Sequence, residues 1–467
     1  MKNQNLFSKI EETLKNSNKF FIENDLIPFL KIPSNTLNKE GVNEAKKFLI
    51  SYISNYTEDI QEYPGKINPL ILARVEGKLK EALLIYMMYD TQPINEESEW
   101  IGKPFGAEIK ILPEPLDTLG KCIIARGAYN SKTPLLCFLN VVKILKEKEP
   151  LPISLLLLFD GEEEIGSPTL LNFLENNKNA FKHCIDCYYP STKQDLRGLS
   201  VLKLGYKGIL SLTISVTSEN KEPHSAFSSM IPNPTTDLIS LLNTIYSNNE
   251  FQIDCLKEPY ELSEEEQAII NDLFKTIDVE KIKKKAGIVQ TIEEDPKSAF
   301  INYIFNPTFN ISTLKSGFLE NGTKNYVPNQ ALCNIDIRFA HNTSINVIFK
   351  EIKEKVENYS KKSKCQIELI KNVGYEGSRV KTNSNLVSSE IESSRLLGIS
   401  TEIWPLSAAA APLSKIQKEL ELDFISGGLG IGGFAHSPNE FIQLESIINA
   451  RLSFYYFLKI YSELCLK

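Results

Sequence analysis

Apolar positions recur along this chain in two alternating rhythms. Leu6, Ile10, Leu14 and Phe20 fall at roughly helical spacing, and Val42 to Leu49 repeats the pattern, so the N-terminal region reads as amphipathic helix. The run EALLIYMMYD is apolar almost throughout and reads as a strand ending in a Thr91-Gln92-Pro93 turn, with Asp90 delivered at its end. Pro93 cannot continue a ladder and fixes that boundary. From Cys122 the strand-like KCIIA leads through RGAYNSKTP into a helix over 135–145. Strand ISLLLLF follows, then the polar stretch DGEEEIGSP and another helix near 169–174. Such a rhythm of apolar strand, polar loop and helix suits an α/β sheet covered on both faces. Functional side chains in such sheets collect beyond the carboxyl ends of the strands. Asp90, Asn130 and Glu163 are all predicted at that edge.

Beyond Gly208 the rhythm changes. GILSLTISVTS alternates as a half-buried strand, 234–245 reads as helix, and 255–300 is a charged, mainly helical excursion. Strands ISTLKSG and ALCNIDIRF, a helix over 345–356 and strand CQIELI complete a smaller α+β domain. The expected division is a larger domain of residues 1–207 and 380–467, interrupted by an insert over 208–379. In the last part ELDFISG reads as a strand, GGLGIGGFAHSPNEF as a loop, and a terminal helix starts near Leu444. No internal repeat stands out.

Length supports that division, because 467 residues exceed what one ordinary core accommodates. With 42% hydrophobic and 24% charged residues, the chain has the balance of folded soluble proteins. A net charge of −7 provides no general attraction for nucleic acid or anionic membrane. The N-terminus lacks the apolar core of a secretion signal, and no run is long enough to cross a bilayer. Eight scattered cysteines do not form a disulfide framework, so a cytoplasmic protein is expected.

Glu162-Glu163-Glu164 follow a nearly all-apolar strand. They are either solvated loop charges or neighbours dividing metal ligation and water activation between them. Asp90 and Asn130 are turn or capping residues on one reading and site residues on the other. Of four histidines, His224 and His436 each precede serine in polar, turn-rich segments. The pair Cys184/Cys187 has Cys-x-x-Cys spacing without a second such pair, and buried free thiols are the simpler account. Residues 427–433 are glycine-rich but match no nucleotide fingerprint, so no nucleotide is expected. Ser407-Ala408-Ala409-Ala410-Ala411 reads either as close backbone approach to a ligand or as a tight helix start.

Taken together the motifs resemble the M20 family of zinc peptidases and deacylases, particularly its dipeptidase and carboxypeptidase-like members. YMMYDTQP is similar to that family's Y-G-H-Y-D-V-Q-P, and RGAYNSKTP to R-G-A-S-D-N-K-G-P. DGEEEIGSP, HSAFSSMIPNP, SGFLENGTKNYVPNQA and FAHSPNEF follow in the family's order. The resemblance implies a mixed-sheet metallopeptidase-like catalytic domain with an inserted lid or dimerisation domain, and a homodimer through that insert. It implies Glu163 as proton-transfer residue, Glu164 and His436 as metal ligands, Asp90 as support for the first ligand, and His224 as the insert's oxyanion-stabilising histidine.

Four positions depart from that scheme. Met88 stands at the first histidine ligand, and its soft, uncharged thioether is a poor exchange on zinc. Asn130 stands at the bridging aspartate and brings no charge to hold two cations together. Pro190 or Ser191 falls where a further acidic ligand belongs, leaving Asp186, Cys184 or Cys187 as candidates to rebuild it. The substitutions imply a largely lost two-zinc site, and a weakly active or non-hydrolytic protein that binds peptides or acts as a regulator. Alternatives are a one-zinc exopeptidase, dipeptidase or deacylase acting on a small peptide or N-acyl amino acid, and a mainly structural oligomer.

Overall fold

The computed structural model describes residues 2–95 and 97–466; the side chain of Leu6 lies outside the described set. The chain divides into two compact units. The first comprises Met1–Leu204, Val380–Trp404 and Lys415–Lys467; the second comprises Gly205–Arg379 and Pro405–Ser414.

In the first unit the apolar runs form a six-stranded mixed sheet. Its order is Ile60–Tyr63, Leu70–Val75, Leu151–Asp160, Gly77–Met88, Cys184–Pro190 and Phe424–Gly427. The first two pairings are antiparallel and the remaining three parallel. Leu83–Met88 and Leu155–Phe159 are buried along their length, which explains their uninterrupted apolar composition. Helix Lys132–Lys148 packs on these strands, and helix Ile447–Cys465 packs on it in turn. Arg451 of the latter is fully buried, yet its guanidinium donates to Leu14 O, Ser17 Oγ, Asn18 Oδ1 and Asn140 Oδ1. A charge without a carboxylate partner is thereby satisfied wholly by neutral acceptors.

Two sequence expectations need correction here. Strand Lys121–Ile124 is not part of the parallel stack. It pairs antiparallel with Glu108–Ile111 and Phe441–Gln443 in a separate four-stranded sheet. The Asn130 loop therefore departs from this smaller sheet and not from the carboxyl edge of the main one. Phe20 does not share the buried face of Ile10 and Leu14: it is 65% exposed, whereas Phe21 is buried. Seven residues, not six, complete two helical turns after Leu14.

The second unit is an antiparallel sheet ordered Thr308–Ser316, Gln330–Phe339, Gly205–Thr217, Gln366–Tyr375. Alternate residues Leu210, Leu212, Ile214 and Val216 face one core, as do Ile335 and Ile337. Helices Pro234–Ile245 and Ile345–Ser360 cover that face, with Leu238, Leu241, Ile348 and Ile352 in the same cluster. Asn233 and Ser344 cap the two helices by accepting from Thr235 N and Asn346 N. Residues 255–305 add short helices, one of them, Glu264–Leu273, started by a Ser263/Glu266 capping box. Ser407–Ala410 is a strand running parallel to Tyr206–Lys207, so the alanine run is not a helix start. Among the described residues, no helix is long and apolar enough to cross a membrane.

Candidate functional site

Parallel pairing sets Met88 opposite Asp160, so the segments following both residues leave the sheet side by side. Asp90 is fully buried there and accepts from Thr36 Oγ1 at 2.8 Å and from the backbone N–H groups of Glu163 and Glu164, each at 3.2 Å. The glutamate turn is thus anchored on Asp90. Glu162 is structural: its carboxylate is buried and accepts from Ile67 N, Asn68 N and Thr169 N. The short helical turn Glu163–Ile165 that follows presents the other two glutamates.

These carboxyl groups compete for few countercharges. Burial, reinforced by the charge of Asp160, pushes Asp90 well above the usual carboxylate range. Burial also lifts Glu163, with Glu164 and Asp90 adding repulsion. Asp160, holding Tyr86 Oη and Glu162 N, is pushed up to about 6 by burial. Carboxyl groups raised in this way hold a proton more readily than exposed ones, the property a proton-transfer glutamate requires.

The opposite side of the site is built by Glu440. Its buried carboxylate accepts from Arg126 Nη1 at 2.8 Å, Gly127 N at 3.0 Å, Tyr129 N at 3.0 Å and Asn130 N at 2.8 Å. This fixes Asn130, whose Nδ2 donates to Glu164 Oε1 at 3.1 Å and lies 3.2 Å from His436 Nε2. Ser131 Oγ donates to Asn130 Oδ1 at 3.1 Å, and a carboxylate can only accept, so the amide nitrogen must face Glu164. Gln92 Nε2 donates to Glu164 Oε2 at 2.8 Å, and His436 Nε2 lies 3.2 Å from the same oxygen. The hydrogen bond to Glu164 raises the pKa of the His436 imidazole.

A two-zinc centre does not fit this set. Glu164 and His436 are brought together, but the group between them is an amide donor instead of a bridging carboxylate. Met88 is buried at its strand end, and Pro190 and Ser191 are buried where the parallel strand Cys184–Pro190 runs out beside Gly427. None of the three supplies a carboxylate or imidazole. Asp186 does not replace the missing acid, because register places it opposite Leu83, five residues before Met88. That is about 16 Å along a strand, and its carboxylate accepts from Tyr461 Oη at 2.6 Å. Cys184 and Cys187 lie in the same distant part of the strand, opposite Ala82 and Leu84, as free thiols. Among the described residues, no three His, Cys, Asp or Glu side chains converge so as to hold a metal ion.

The glycine-rich segment begins packed against a buried acid. Gly428 N donates at 2.6 Å to Glu390, whose buried carboxyl also accepts from Tyr188 Oη at 3.1 Å. A Cβ on Gly427 would meet that carboxyl carbon at 2.5 Å, which accounts for glycine there. His224 belongs to the second unit, where it is exposed and its Nδ1 accepts from Ala226 N at 3.1 Å. Gln92, Glu440, Thr36 and Glu390 were not singled out by sequence. Gln92 and Glu440 do stand inside YMMYDTQP and FAHSPNEF, and a buried acid or amide at a motif's end was the available signal.

A model of peptidase family M20/M25/M40 matches residues 84–459. The Cys-Gly metallodipeptidase dug1 of Schizosaccharomyces pombe is 26% identical over 315 residues, covering 65% of this chain and 63% of that protein. The human Beta-Ala-His dipeptidase is 24% identical over 73% of this chain and 65% of its own length. The chain thus spans a little under two thirds of both relatives. Among solved structures, the M20 family metallo-carboxypeptidase Sso-CP2 from Sulfolobus solfataricus superposes with a TM-score of 0.83 at 28% identity, covering 94% of this chain and 98% of that one.

Proposed function

The chain belongs to peptidase family M20/M25/M40, and on that premise we propose that it binds a short peptide or related small amide without ordinary two-metal turnover, as a weakly active or regulatory member. One observation carries this reading: the Asn130 amide donates to Glu164 and sits beside His436 where two metals would need a shared carboxylate. A neutral donor there holds the two remaining ligands together by hydrogen bonding and removes charge that a metal pair would need. Glu163, lifted in pKa and close to Asp90 and Glu164, is the group we assign to proton exchange with a bound ligand.

A second reading rests on the 3.2 Å approach of His436 Nε2 to Glu164 Oε2, which leaves two ligands for a single zinc in an altered exopeptidase or deacylase. Elemental analysis after zinc equilibration and desalting separates the two, together with hydrolysis of Cys-Gly, β-Ala-His and N-acyl amino acids. Near-zero zinc and no turnover that Glu163→Gln abolishes supports the binding protein. One zinc per chain with Glu163-dependent turnover supports the altered enzyme, and two zincs would overturn the first reading.

We further assign the second unit a role in homodimer formation. Its edge strand Thr308–Ser316 leaves Ile311 and Leu314 exposed, and an unpaired edge is available to a second copy. The free thiols and the absence of an apolar membrane-crossing helix among the described residues suit the cytoplasm.

A further inference from the structure

Within the second unit, the hairpin turn after Tyr246 and the helix Pro296–Phe305 border a cavity of about 530 Å³, which also takes in Thr308 and Phe309 at the start of the edge strand Thr308–Ser316. That is within the size range of small-ligand sites. Tyr246 and Phe309 form one wall as a stacked pair, with ring centroids 4.7 Å apart and planes 7° from parallel. Tyr303, 53% exposed, offers a further aromatic surface. Asn248 and Asn249 both adopt left-handed φ, at 54° and 61°, which turns the hairpin tightly and brings Glu250 to the rim. Glu293 approaches from the segment before the helix. Asn306 Nδ2 is committed to Asn302 Oδ1 at 2.9 Å and the Asn306 main-chain carbonyl accepts from Lys207 Nζ at 2.7 Å, which leaves the side-chain Oδ1 of Asn306 as an acceptor.

The cavity therefore combines aromatic faces, amide acceptors and two carboxylates, and among the described residues none of its lining side chains is basic. That chemistry selects a flat cation. A guanidinium presents donors around its edge to carboxylate and amide oxygens and an apolar face to an aromatic ring. We propose that this cavity is a docking site for an arginine side chain carried by a peptide, separate from the Asp90–Glu163 site and independent of how that site is read. An anion is disfavoured by Glu250 and Glu293, and an aliphatic group would leave the amides unpaired.

The test uses ligand-observed saturation-transfer NMR on the full chain, with N-acetyl-arginine amide and its neutral isostere N-acetyl-citrulline amide as probes. We expect saturable binding of the arginine probe, and at least about fivefold weaker binding of the citrulline probe. A Glu250→Gln/Glu293→Gln double variant should weaken the arginine probe by a similar factor; both positions are exposed, so folding is preserved. Tyr303→Ala should weaken both probes through the lost ring. Glu163→Gln should leave arginine binding unchanged. No saturable binding, equal affinity for the two probes, or loss with Glu163→Gln in place of the glutamate pair would each overturn the proposal.

Discussion

Replacing Glu440 with glutamine tests whether the surviving half of the site is held by one buried carboxylate. Glu440 and Arg126 have side chains 1% and 4% exposed, with Nη1 and Oε2 2.8 Å apart. Three backbone N–H groups, from Gly127, Tyr129 and Asn130, share the same carboxylate. Glutamine preserves the shape but removes the charge, leaving a buried guanidinium without its partner at a cost of about 3–5 kcal/mol. It also turns one oxygen into an amide nitrogen facing two donors, each of which loses an acceptor. The terms overlap, so we expect a net loss of ~4 kcal/mol. Arg126→Met should cost less, because the carboxylate keeps its backbone donors, and the double variant should recover at least ~1 kcal/mol of the summed losses. Trp100 is a local reporter, since the Arg126 guanidinium lies 5.4 Å from its ring. With Trp404→Phe removing the other of the two tryptophans, urea unfolding followed by fluorescence reads this region. A loss below ~1 kcal/mol for Glu440→Gln, or strict additivity in the cycle, would refute the reasoning.

Three further outcomes are expected. Burial pushes Glu390 up to about 7, so the native state binds more protons than the unfolded chain between roughly pH 4.5 and 7, and stability falls as pH rises through that window. Glu390→Gln should therefore be near neutral at pH 5 and stabilising by about 1–3 kcal/mol at pH 8 in urea unfolding, a gain that would be absent if the carboxyl titrated normally. The His436 imidazole, raised by its bond to Glu164, should titrate above the usual histidine range in nitrogen-detected NMR. Its small stabilising effect is present below the unfolded pKa and lost as pH rises through the folded one, and Glu164→Gln should return it to the ordinary range. Finally, Met88→His with Asn130→Asp should raise zinc uptake above that of the parent, read by elemental analysis and by a zinc-dependent rise in Tm; unchanged uptake would show that the loss at Pro190 and Ser191 dominates.

Much of this is legible in the sequence alone. An almost wholly apolar strand ending abruptly in acids marked Asp90 and Glu163, because such a strand must be buried and its end is where polar groups emerge. That Met88 and Asn130 bring neither imidazole nor carboxylate is equally plain, since charge and donor type are written in the residue itself. What could not be read was pairing across distance. Glu440 meets Asn130 across 310 positions, and no local pattern encodes that. Three apolar residues after Lys121 in Lys121–Ile124 say strand without saying which sheet. The run Glu162-Glu163-Glu164 contains no internal mark that the first member is a buried anchor; the N–H groups of Ile67, Asn68 and Thr169 reveal it.

Strand Ser407–Ala410 has a consequence for how the chain is made. It belongs to the second unit and pairs with Tyr206–Lys207, yet it is encoded beyond Val380–Trp404 of the first unit. During synthesis, which proceeds from the N-terminus, the margin of the second unit's sheet stays open until residue 410 has left the ribosome. The insert therefore cannot reach its final form before most of its host has been translated, and a fragment ending at Arg379 would leave the ribosome with that margin uncovered.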